Sequence, residues 1–247
     1  MVRASSASFA SVWMAAVLLL ASGNVALSFA PRSSGFSSAT PTSSTSSSAL
    51  SLFDKFFEEE GPLGKGITVG KVQVALMTTD RSKNSIFGDL KRTVDEHSVG
   101  TNYDLACLAQ QTCLALLRRK DSWTAAASTC QWFKEDDSGK AESTYNDWAN
   151  REAVKFEKEY PPGTGDGGAS TVVVSLLLEL VGDQTQFDGA GLSFTQTEEV
   201  LQSIASDVMV EEGDCVNACE LFWTPGEPTE VLTKMDLIQD FPELMTI

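Results

Sequence analysis

Histidine is nearly absent from this sequence: His97 is the only one in 247 residues. A zinc site built from several histidines is therefore excluded, and any Ser- or Cys-based triad would have to use this one residue. The five cysteines (Cys107, Cys113, Cys130, Cys215, Cys219) are odd in number and contain no CxxC pair. In a reducing compartment their simplest role is that of small buried apolar residues. Lys and Arg are missing from Glu159 to Thr233, and beyond that only Lys234 is basic. Phosphate binding needs a basic footprint, so nucleic acid is disfavoured as a partner. Long apolar runs are missing too. Val12 to Ala21, "VWMAAVLLLA", has the length of a signal-peptide core and is too short to span a bilayer.

No acidic residue occurs before Asp54, and the segment that follows the apolar run, "FAPRSSGFSSATPTSSTSSSALS", is rich in Ser and Thr. Ala26 and Ser28 place small residues where a signal peptidase reads. A secretory signal, a Phe and a Ser-rich acid-free tail resemble the bipartite leader of secondary, red-derived plastids, with cleavage at Ser28/Phe29. The expected division is a signal peptide over 1–28, a transit-like segment over 29–50 and an acidic lead-in over 51–65. A single domain is expected over 66–247. An ordinary secretory signal followed by a Ser/Thr linker is the alternative.

Arg3 and Arg32 are the only charges among the first fifty residues, so the rest keeps 16 of the 18 basic residues and all 34 acidic ones, a formal charge of −18. Such a surface suits solubility, divalent counter-ions or a basic protein partner. About 197 residues suffice for one domain with a real core.

Periodicity predicts nine elements. Gly66 to Met77 alternates as a strand, and Ser85 to Ser98 carries Ile86, Phe87, Leu90 and Val94 at helical spacing, with Gly88 inside it. Asn102 to Lys120 is a helix with a broad apolar stripe, its last turn crowded by Arg118, Arg119 and Lys120. Ser122 to Phe133 reads as a strand. Lys140 to Glu159 reads as a helix with Tyr145, Trp148, Glu152 and Phe156 on one side, stopped by Pro161-Pro162-Gly163. "STVVVSLLLELV" (Ser170 to Val181) is a strand covered on both faces. Thr195-x-x-Glu198 is a capping box for a helix through Val208. Cys215 to Pro225 is a strand, on which Cys215 and Cys219 stand about 13 Å apart, beyond disulfide reach. Thr233 opens a last short helix. The fold class expected is α+β, one domain with a central sheet of about four strands flanked by helices.

Candidate chemistry is sparse. Gly163-x-Gly165-x-x-Gly168 has the letters of a dinucleotide loop but follows a helix and leads into a strand. The phosphate-binding context is the reverse, so a flexible connection is the better reading. "GKGITVGK" lacks the first glycine of a phosphate loop at Lys65 and the magnesium hydroxyl at Val72. His97, beside Glu96, reads as a solvated or capping residue. Glu179 is a carboxylate in an apolar strand, where burial would raise its pKa, although no second carboxylate is paired with it in sequence. Asp183 to Gly191 has too few oxygen ligands at the offsets of a calcium loop. Tyr145, Trp132, Trp148 and Trp223 read as core. No catalytic, cofactor-binding or metal residue is assigned, and no cofactor is expected.

Four blocks, "VGKVQVALM", "LACLAQQTCLALLRRKDSW", "TVVVSLLLELVGD" and "ELFWTPGEPTEVLTKMDLIQDFPEL", together resemble the domain of unknown function 1517 family over about Ile67 to Leu244. The Trp223-Thr224-Pro225 junction carries most of the specificity. The resemblance implies a cyanobacterial or plastid protein, similar to the plant fluctuating-light-acclimation protein implicated in proton homeostasis and non-photochemical quenching. It carries no catalytic residues across. Relatives often have a Gly-rich stretch and a membrane segment before the domain. Phe29 to Gly66 has no long apolar run, so a soluble or peripheral plastid protein is expected. The expectation is a non-catalytic regulatory factor with a protein partner in the stroma or at a plastid membrane. The alternatives are an enzyme using a buried carboxylate or thiol, and a thiol redox sensor.

Overall fold

A computed structural model describes residues 60–80, 82–97, 100–161, 170–226 and 229–247. The chain divides into two units, Met1–Phe53 and Asp54–Ile247, and every described residue belongs to the second. The expected leader, Gly163, Gly165 and Gly168 lie outside the described residues.

The elements are β1 (Ile67–Thr78), α1 (Ile86–Glu96), α2 (Asn102–Leu117), β2 (Trp123–Phe133), α3 (Ser138–Glu157), β3 (Ser170–Val181), α4 (Phe194–Asp207), β4 (Val216–Thr224), α5 (Lys234–Asp240) and β5 (Met245–Thr246). The nine expected elements are present in the expected order. The fold is α+β, but its sheet has five strands, not four, in the order β4-β3-β1-β2-β5. All neighbours are antiparallel. The added strand has only two residues, too few to show a period of two.

Side-chain alternation splits the sheet into two unlike faces. Val72, Val74 and Leu76 of β1, with Val174, Leu176 and Leu178 of β3, point into the main core under α1, α2 and α4. The opposite face meets α3 and α5, and its apolar residues form two separate clusters. Ile67, Val69, Leu177 and Phe133 pack with Tyr145 and Ala149. Ala75, Ala125 and Val173 pack with Tyr160 and Phe241. Ser170–Val181 is an interior strand buried on both faces, as its near-continuous apolarity implies.

Two glycines are explained by close approach. A Cβ on Gly70 would fall 2.2 Å from the Phe187 ring, and one on Gly88 would fall 2.0 Å from the Lys83 carbonyl oxygen. Gly88 thus lets the preceding turn lie against the first turn of α1. Helix α2 stops at Leu117, three residues earlier than expected. There the Arg119 guanidinium donates to the Ala115 carbonyl at 3.2 Å and the Trp123 indole to that of Leu116 at 3.2 Å. Helix α4 starts earlier than Thr195: Ser193 is the cap, its hydroxyl accepting from Gln196 N–H at 3.2 Å. Thr233 does cap α5, in a full capping box with Asp236.

Candidate functional site

Most residues singled out in the sequence prove structural or superficial. Of the stretch Gly64 to Lys71, Ile67 to Lys71 already belong to β1, so it makes no phosphate loop. His97 is the C-cap of α1, its backbone N–H donating to Thr93 at 3.1 Å. In the Asp183 to Gly191 loop the Asp183 carboxylate takes the Lys65 N–H at 3.3 Å. Among the described residues no group of three His, Cys, Asp or Glu side chains is placed to hold a metal. Trp132 is not core: it is 46% exposed, and its indole donates to the Lys65 carbonyl at 2.8 Å. Trp148 and Trp223 are half-buried.

All five thiols are free, and four are buried; Cys130 is the half-buried exception. Cys215 lies just ahead of β4, and Cys219 within it. Burial pushes the Cys113 thiol up to about 12, and burial with the nearby Asp188 carboxylate pushes Cys130 up to about 11. The thiolate is the reactive form, so both are poor nucleophiles at neutral pH.

The polar chemistry of the domain lies on the α3 face, in rows set by strand register. One row runs Ala127, Gln73, Ser175, Phe222 and the next runs Thr129, Lys71, Leu177, Glu220. Glu152 of α3 descends onto them and is 2% exposed. Its Oε1 accepts from the ammonium groups of Lys71 at 2.8 Å and Lys155 at 3.0 Å. Its Oε2 accepts from Gln73 Nε2 at 3.2 Å and Ser175 Oγ at 3.1 Å. Glu243, after α5, joins through Lys155 at 3.1 Å and Lys71 at 3.6 Å. Burial pushes the Glu243 carboxyl up, but its own backbone N–H and the two lysines outweigh this and leave it lowered. The row separates the two apolar clusters of this face and binds α3, β1, β3 and the C-terminal segment together. A carboxylate with four donors is well placed to be buried charged and poorly placed to accept a substrate proton.

Toward the outer strand the balance reverses. Glu179 is buried, as its apolar strand implies, and accepts from Asn217 Nδ2 at 3.2 Å. Burial raises its pKa against that hydrogen bond, and the Glu142 charge adds to the rise. Glu220, one row away on β4, is raised to about 7 by burial. Among the described residues no hydrogen bond or ion pair reaches its carboxylate. Tyr145 of α3 faces both carboxyls, and burial with their charges raises its phenol well above the ordinary value. The sequence shows Glu179 and Tyr145 separately, Glu152 only as part of a helix side and Lys71 only as the lysine of a failed phosphate loop; Glu220 is not singled out. Polar residues at odd positions of otherwise apolar strands were the available signal; their partners depend on register.

Comparison with known proteins agrees with the sequence blocks. The family described as "Protein of unknown function (DUF1517)" matches residues 66–247. The chain is similar to "Protein FLAP1 homolog A" of Synechocystis sp. (strain ATCC 27184 / PCC 6803 / Kazusa), at 24% identity over 209 residues. That match covers 73% of this chain and 57% of the relative, so the chain spans little more than half of the relative's length. No solved structure matches. These relations place the chain in the DUF1517 family and make it similar to a Synechocystis protein named as a FLAP1 homologue.

Proposed function

Because this chain belongs to the DUF1517 family, we propose that it is a non-catalytic plastid factor. It tunes photosynthetic acclimation by binding a protein partner in the stroma or at a plastid membrane surface. The observation that carries this reading is the saturation of Glu152. The most deeply buried charge of the α3 face spends all four of its contacts on the protein's own donors. Such a network stiffens a scaffold and holds no group in reserve for a substrate. The basic-poor stretch from Glu159 to Thr233 favours a partner with a basic surface. The Ser-rich leader supports delivery to a plastid, and no helix among the described residues is long and apolar enough to cross a membrane.

A clean deletion strain tests the proposal. Chlorophyll-fluorescence quenching should change when light intensity is stepped abruptly, and the full-length gene should restore it. An unchanged quenching trace would remove the regulatory role, and a leader fusion that accumulates in the medium would remove the plastid.

A further inference from the structure

Tyr145 is 5% exposed, and its hydroxyl has no hydrogen-bond partner among the described residues. A buried hydroxyl left unpaired costs free energy, so such a group is informative about what its site accommodates. The groups around it are acids. Glu179 faces it from β3 and Glu220 from β4, while the Cys219 thiol of the same strand points to the main core on the opposite face. Glu142, exposed on α3, adds its charge to Glu179, and Asn217 is the neutral donor at the rim. From β1 comes Lys71, two strands from Glu220 in the same row, but its ammonium is held by Glu152 at 2.8 Å. The other lysines on or beside α3 are held as well: Lys155 by Glu152 and Glu243, Lys140 by Asp137 and Lys158 by Asp240. The cluster therefore lacks a positive charge. The described residues bring together no metal-holding group to supply one. The occupant that fits without further ligands is a proton.

We infer that the contact of α3 with β3 and β4 is a proton-binding joint: a proton on Glu220, which lies diagonally across the strands from Glu179 in the layer where Tyr145 packs, seats the first half of α3 on the sheet. Release of that proton to water leaves a second negative charge beneath the helix and loosens it. The inference goes beyond the regulatory proposal and does not rest on it, since the joint is a property of the isolated protein. Burial places the Glu220 carboxyl at about 7, against an ordinary 4.5. The folded state then holds a proton that the open state gives up, so the seat is firmest in mild acid and weakens as pH rises through neutrality. Linkage for one such group gives about a tenfold change in the opening constant between about pH 6 and pH 8, and less where water reaches the carboxylate.

Amide hydrogen exchange of the full chain, corrected for intrinsic rates, tests this at constant ionic strength. Opening of residues 141–152, relative to α2, should rise roughly three- to tenfold from about pH 6 to about pH 8. Glu220→Gln should remove most of that dependence and keep the helix protected at the higher pH. Glu135→Gln, an exposed control with the same charge change, should retain it. Equal pH dependence in Glu220→Gln and the parent protein, or no change in α3 protection, would overturn the joint. Should Glu220→Gln fail to fold, the carboxyl-carbon titration of the parent protein decides. A glutamate midpoint above about 6 supports the joint, and all midpoints near 4.5 overturn it.

Discussion

Glu152 shows how much one side chain can hold when its partners come from distant parts of the chain. Lys71 is 81 residues away and Gln73 79, so neither adjacency nor helical spacing reveals the network. In the sequence Glu152 is one member of a helix side, and Lys71 is the lysine of a failed phosphate loop. Removing the carboxylate leaves two part-buried ammonium groups to share the single carboxylate of Glu243. Glu152→Ala should therefore cost about 3–5 kcal/mol of unfolding free energy, the range for a buried pair broken on one side. Glu152→Gln should cost less, because it keeps an acceptor for Gln73 and Ser175. Urea unfolding of the two variants measures the difference, and a loss under about 1 kcal/mol in the alanine variant would mean that water already reaches the lysines.

Among the elements, α4 separates a correct helix from a misplaced start. The capping pattern at Thr195 is genuine as letters, but Ser193-Phe194-Thr195-Gln196 is an equally good pattern two residues earlier, and the chain uses that one. Gly191 decides between them. At φ +93° its N–H reaches the Thr197 hydroxyl at 3.0 Å, which turns the chain into the helix at Ser193. Ser193→Ala should cost about 0.5–2 kcal/mol, whereas Thr195→Ala, at an exposed first-turn position, should stay within about 0.5 kcal/mol. Thermal melts of both variants would distinguish the caps, and equal losses would contradict this start. Elements were legible wherever an apolar period ran for eight residues or more, which covers β1 to β4 and the long helices. What escaped was two-residue β5 and the cross-strand rows. The rows follow from pairings such as Lys71 with Leu177 and Leu177 with Glu220, and one step of slip would turn every one of these side chains to the opposite face. Glu179 could be read as buried, but its neighbours could not.

For the molecule as a whole, two kinds of carboxylate pull stability in opposite directions. Glu243 and Asp236 are lowered. In Asp236 the Thr233 hydroxyl is the main cause, opposed by burial. Their stabilisation is present above their ordinary values of 4.5 and 3.8 and disappears as pH falls through the lower folded values. Glu220 and Glu179 are raised, so their share is present in mild acid and disappears as pH climbs through about 7 for Glu220. The formal charge of −16 adds self-repulsion on the alkaline side. The urea midpoint should therefore peak between about pH 5 and pH 6.5 and fall on both sides, the acid limb steeper. A midpoint that climbs steadily to about pH 8 would contradict the raised pair. The sheet order also has a bearing on synthesis. β1 sits in the middle of the sheet, yet Thr68 waits for a partner 114 residues downstream, the carbonyl of Gly182. At ribosomal rates of about 5–20 residues per second, that apolar ribbon remains without its β3 neighbour for roughly 6–23 seconds. A nascent chain with this topology is an obvious client for chaperones that shield hydrophobic segments.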